Sequence, residues 1–167
     1  MVSTVKRFLT HLFSGPWLVR RYFSSEAMRH IEQAISDSER SHSGQIRFAV
    51  ESGLHPYSLI KGNPPRARAL ELFSSLGIWD TEQNNGVLIY LLLADHDVEI
   101  IVDRGICRYV AQPVWDSICH EMELLFKQGK FEQATLLGID RIGQLLARHF
   151  PPGHKNENEL PDQPVVL

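Results

Sequence analysis

Residues 87–93 form a near-continuous apolar run, and soon after it Val98, Ile100 and Val102 alternate with Glu99 and Ile101. An unbroken apolar strand is one covered on both faces. Two strands joined only by Ala94, Asp95, His96 and Asp97 must form an antiparallel hairpin. The chain therefore has to supply helices for both sides of a sheet. With 167 residues it is long enough, since a chain of this size buries roughly 70% of its unfolded surface and needs neither disulfides nor a structural metal.

The flanking segments supply those helices. Ser24 fits an N-cap, with Phe23 before it and Met28 placed for a hydrophobic staple, and Met28, Ile31, Ala34 and Ile35 mark one face of a helix over 25–40. Beyond Gly44, Ile46, Phe48 and Val50 alternate with Gln45, Arg47 and Glu51, which predicts a strand with one face more polar than the other. Pro64 and Pro65 open a second helix over 66–76, closed by Gly77. A strand joined to the next through a helix favours a parallel, right-handed crossover. In the last third, Val114, Ile118, Met122 and Leu125 mark one helix and, after Gly129, Phe131, Ala134, Gly138, Ile142 and Leu145 mark another. The fold class is α/β: a three-layer α/β/α sandwich whose small mixed sheet, a parallel crossover plus an antiparallel hairpin, is covered by helices on both faces.

The sequence divides into an arm over 1–22, the α/β/α domain over 23–151 and a disordered tail over 152–167, where Pro161 and Pro164 stand among Asn, Glu and Asp. Lys6, Arg7, Arg20 and Arg21 in the arm are interleaved with Phe8, Leu9, Leu12, Phe13, Trp17 and Tyr22, and no acid occurs in the first 23 residues. Such a segment packs on its own domain or on a subunit neighbour, or lies on an anionic membrane surface.

With a net charge of -3 and interspersed signs, the chain lacks a broad cationic field, so no nucleic-acid partner is expected. Cys107 and Cys119 lie far apart without a Cys-x-x-Cys partner, which excludes a zinc knuckle and a redox pair and suits small core groups. The longest apolar run, 87–94, spans eight residues where a membrane-crossing helix needs about twenty. Polar residues interrupt the apolar block that a signal peptide requires. The expected location is cytoplasmic, with peripheral membrane contact through the arm. No phosphate loop, dinucleotide fingerprint, nucleophile elbow or zinc-protease motif is present, and nothing signals a nucleotide, flavin or haem.

A two-residue turn at Asp95 and His96 would set Asp103 opposite Leu88 and near the loop before the second strand, gathering Asp80, Glu82, Asn84, Asn85 and Asp103 at one rim. Oxygen donors of this kind suit Ca²⁺ or Mg²⁺; the same residues also cap helices and shape turns for local reasons. At the opposite rim, His55, Asp95, His96 and Asp97 would meet outside the carboxyl ends of the parallel strands, although Asp-x-Asp at a hairpin turn is explained by turn chemistry. Arg66 and Arg68 would pair with Asp80 or Glu82, or hold an anion.

The set formed by Ser43-Gly44-Gln45-Ile46-Arg47, Arg66-Ala67-Arg68-Ala69, Trp79-Asp80-Thr81-Glu82, Asn85-Gly86-Val87-Leu88-Ile89-Tyr90 and Asp103-Arg104-Gly105-Ile106 resembles the TPM-domain family. Trp115, Phe126, Gly129, Phe131 and His149-Phe150-Pro151 extend the resemblance over about 23–151. The chain is similar to the short bacterial branch, without the signal peptide and membrane anchor of longer members. The resemblance implies an α/β/α sandwich. Members include thylakoid-lumen proteins of photosystem II repair, a receptor modulator and many bacterial proteins, and acid phosphatase activity and divalent-cation binding are ascribed to some. By position it implies a metal site at Asp80, Asn85 and Asp103. The expected function is a non-catalytic module that binds a protein partner or serves assembly, with a cation at one rim. The alternative is a metal-assisted phosphomonoester hydrolase, and no catalytic residue is assigned.

Overall fold

The computed structural model describes residues 4–55, 57, 59, 64–153 and 157–167. Among these residues the chain runs α1 (Thr4–Phe13), α2 (Pro16–Tyr22), α3 (Ser25–Glu39), β1 (Gln45–Glu51), α4 (Pro65–Ser75), β2 (Gly86–Leu92), β3 (Asp97–Val102), α5 (Arg104–Cys107), α6 (Gln112–Lys127), α7 (Phe131–His149) and β4 (Val165–Val166). The sheet order is β3-β2-β1-β4. β1 and β2 are parallel and β2 and β3 antiparallel, as the mixed-sheet pattern requires.

Alternation along the strands splits the core in two. Ile46, Phe48, Val50, Val87, Ile89 and Leu91 meet Ile31 and Ile35 of α3, Trp115 and Met122 of α6 and Ile142 of α7. On the other face Ala49, Leu88, Tyr90 and Leu92 meet Ala69 and Leu72 of α4 together with Ile78. Every residue of β2 is buried, as a strand between two helical layers must be. Local signals fix the helix entries: the Ser24 hydroxyl accepts from Ala27 N at 3.0 Å, capping α3.

The hairpin register differs from the expected one. Leu92 pairs with Asp97 and Val87 with Val102, so the connection is Leu93–His96. Leu93 N and Ala94 N donate to the carbonyls of Glu51 and Ser52 at 2.9 and 3.1 Å. These bonds keep the chain beside β1 for two more residues before it turns, and His96 completes the turn at a φ of 53°. Asp103 consequently lies beside Gly86, to whose carbonyl Asp103 N donates at 3.0 Å, rather than opposite Leu88.

The expectation of a disordered tail does not hold for 157–167. Val165 and Val166 pair in parallel with Ala49 and Val50, and the tail covers the polar face of β1. Gln45 Oε1 accepts from Glu159 N and Leu160 N at 2.9 Å each, and Arg47 donates to Gln163 O at 3.1 Å. Farther along β1, Glu51 accepts from the Tyr90 hydroxyl at 2.7 Å and from Arg68 at 3.0 and 3.2 Å. Burial and the neighbouring Glu51 push the Tyr90 hydroxyl upward, so it stays protonated and donates. The polar side of β1 is therefore buried and satisfied, not solvated.

The arm is also part of the folded unit, since Val19 of α2 and the adjoining Phe23 enter the larger core. No helix among the described residues is long and apolar enough to cross a membrane. Cys119 is half-buried, whereas Cys107, expected in the core, is exposed on α5.

Candidate functional site

At the amino ends of β1 and β2, the loop 77–85 meets the turn leading from β3 into α5. Two glycines permit the approach. A Cβ on Gly86 would lie 2.1 Å from Ile78 O, and one on Gly105 would lie 2.4 Å from Asn84 O. Gly105 N instead donates to that carbonyl at 3.0 Å. Asn84 takes a φ of 51°, a left-handed turn position that Asn tolerates, and its Oδ1 accepts from Arg104 Nε at 3.0 Å.

Asn85 is wholly buried. Its backbone N donates to Thr81 Oγ1 and its side-chain amide to Ser43 O, both at 3.0 Å. Asp103 caps α5, with Oδ1 accepting from Arg104 N at 2.6 Å. Asn85 Oδ1 and Asp103 Oδ2 have no hydrogen-bond partner although both atoms are buried. Among the described residues only Trp115 Nε1 shares that condition. Buried polar atoms are normally satisfied, by protein, water or an ion. Asp80 stands on the exposed lip of the same loop, its N donating to Gly77 O at 3.0 Å.

The sequence-predicted residues thus fall on one rim, with Asn85 turned toward Ser43 beside β1 and Asp103 on the β3 side. No group of three His, Cys, Asp or Glu side chains converges among the described residues, so any metal would depend on amide and backbone oxygen as well as carboxylate. Ser43 and Thr81, which orient Asn85, stand in the sequence only within the Ser43–Arg47 and Trp79–Glu82 runs of the family resemblance and not among the expected metal ligands. Beside them Glu39 accepts from Ile46 N at 2.7 Å, and burial pushes its carboxyl up to about 8.

The carboxyl-end rim is organised differently. Asp95 accepts from Arg7 Nε at 3.1 Å and Nη2 at 2.8 Å, and lies 3.1 Å from His11 Nε2. Leu54 N donates to His11 Nδ1 at 2.9 Å, which leaves the proton on Nε2 to donate to Asp95. Burial works to raise the Asp95 carboxyl, but the bonds from His11 and Arg7 outweigh it and hold the group at about 2. Burial, with Glu99, Glu123 and Asp95 nearby, pushes Asp97 up to about 6. The expected meeting of His55, Asp95, His96 and Asp97 is replaced by this fastening of the arm. His96 packs its ring against Phe131 at 5.4 Å between centroids, and His55 accepts from Tyr57 N at 3.3 Å. Arg66 and Arg68 pair with Glu99 and Glu51 rather than with Asp80 or Glu82, because they stand in the first turns of α4 and that loop begins at the helix's other end. Arg7 and His11 were not anticipated; their four-residue spacing in an acid-free segment was the available clue.

The TPM-domain family model matches residues 20–145. The chain belongs to the TPM-domain family. In agreement, the NMR structure of the BA42 protein from the psychrophilic bacterium Bizionia argentinensis is similar at a TM-score of 0.77 and 32% identity, covering 87% of this chain and 95% of that one. No curated protein matches the sequence. The rim of this TPM domain and most of its three layers lie within the matched residues, whereas α1, most of α2 and β4 lie outside them.

Proposed function

We propose that this TPM domain is a non-catalytic partner-binding module whose amino-end rim takes a divalent cation, Ca²⁺ or Mg²⁺, through Asp103, Asn85 and Asp80. The observation that carries the reading is the pair of buried, unpartnered oxygens, Asn85 Oδ1 and Asp103 Oδ2. Hard cations take oxygen donors of this type and complete their shells with carbonyls and water. Such an ion would tie the loop 77–85 to the start of α5 and neutralise the second oxygen of Asp103. Exposed Trp79 and Tyr109 flank these segments, and aromatic side chains are enriched in protein contacts. Ordering their segments would set the two rings in position for a protein partner.

Amide chemical shifts followed through millimolar Ca²⁺ and Mg²⁺ titrations test the reading. Saturable movement is expected at 80–86 and 103–107, and Asp103→Asn, which keeps the capping oxygen, should abolish it. Movement confined to other segments would refute the site. Cation-dependent turnover of a phosphomonoester, lost in Asp103→Asn, would replace the non-catalytic reading with metal-assisted hydrolysis.

A further inference from the structure

α1 is amphipathic the wrong way round for a helix lying on a domain. Arg7 and His11 form its inward side, both bonded to Asp95, and His11 is 3% exposed. At 3.6 residues per turn, Leu9, Leu12 and Phe13 centre roughly 180° from that pair. They are 45%, 52% and 72% exposed, and Trp17 at the start of α2 is 54% exposed. The apolar stripe therefore faces solvent while the polar side is fastened down. Arg20 and Arg21 follow on α2 and are also exposed.

We infer that α1 and α2 dock this protein on an anionic lipid bilayer. Charge favours that occupant. The arm carries four of the 17 Lys and Arg of the chain and none of its 20 Asp and Glu. A two-fold contact between copies would bring the same acid-free segments together, whereas lipid headgroups offer the opposite charge beside an apolar layer. Leu, Phe and Trp suit the boundary between headgroup and acyl chain, with Arg at the phosphate level. The Arg7–Asp95–His11 fastening holds the stripe outward in advance, so docking requires no unfolding of the arm. The inference is independent of the cation rim at the far end of the sheet.

Co-sedimentation of the full chain with phosphatidylcholine vesicles, with and without phosphatidylglycerol, tests it, alongside sedimentation velocity without lipid. The expected result is binding that needs the anionic lipid and weakens with added salt. Arg20→Gln with Arg21→Gln should lower the partition coefficient roughly tenfold to thirtyfold. Leu12→Ser, Phe13→Ser and Trp17→Ser together should remove binding while circular dichroism stays unchanged, because these side chains project into solvent. Failure of the wild type to pellet with anionic vesicles overturns the inference. So does equal binding to both vesicle types, or an oligomer in the absence of lipid that dissociates in the triple variant; the last result would assign the face to a second copy.

Discussion

An aspartate stands at each end of the β2–β3 hairpin, and the two carboxylates are treated in opposite ways. Asp95 is fully engaged by Arg7 and His11 from a helix 84 and more residues away. Asp103 uses one oxygen to cap α5 and leaves the other buried without a partner. Burial alone thus does not decide what a carboxylate does. A carboxylate neutralised by its own chain fastens one element to another, whereas one with an oxygen left over has the chemistry to receive something from outside.

The contrast breaks most directly on stability. Asp95→Ala would strip partners from His11, whose side chain is wholly buried, and from Arg7, which is 40% exposed and loses less. The cost should be about 2 kcal/mol, read as a Tm lower by roughly 4–8 °C with faster proteolysis ahead of Ser24. Asp103→Asn retains the cap and should cost far less in the absence of divalent cations; an equal loss would erase the distinction between the two ends.

Titration sharpens the comparison with opposite signs. Asp95 lies at about 2 in the fold against an ordinary 3.8, so its contribution is present above about pH 4 and is lost as pH falls toward 2. Glu39, beside the amino-end rim, lies at about 8 against an ordinary 4.5. Its contribution is full below pH 4.5 and is lost as pH rises toward 8. Urea unfolding across this range should show Asp95→Asn flattening the acid limb and Glu39→Gln the alkaline one. Asp97, at about 6 against 3.8, adds a loss between those values as pH rises.

The smallest effect belongs to the Arg66–Glu99 pair, 3.0 Å apart with Arg66 45% exposed. Arg66→Ala should change stability by at most about 0.5 kcal/mol in the same unfolding measurement. A loss several times larger would mean that the carboxyl-end rim is one connected network rather than a fastening with solvated neighbours.

What could be read from the sequence was whatever is encoded within a few residues. The buried run of β2, the alternation of β1, the Ser24 cap and the proline entry of α4 are local, and all appear in the fold. The hairpin register was displaced because its turn is set by bonds from Leu93 and Ala94 to a different strand, which no local turn rule contains. β4 escaped because two valines beside Pro164 are too short to show a period; they become a strand only by finding the flank of β1. The rim residues were found through their type and spacing. Their unpartnered oxygens, and the engagement of Asp95 by His11, depend on contacts between distant segments that periodicity does not report.

By lying along β1, residues 165–167 cover a flank of backbone donors and acceptors that would otherwise be bare: Leu167 N donates to Val50 O at 2.9 Å. Uncovered flanks of this kind recruit strands from other molecules. Trimming the protein ahead of Val165 would thus exchange intramolecular coverage for a tendency to clump, so colloidal behaviour here is governed by three residues that take no part in either rim's chemistry.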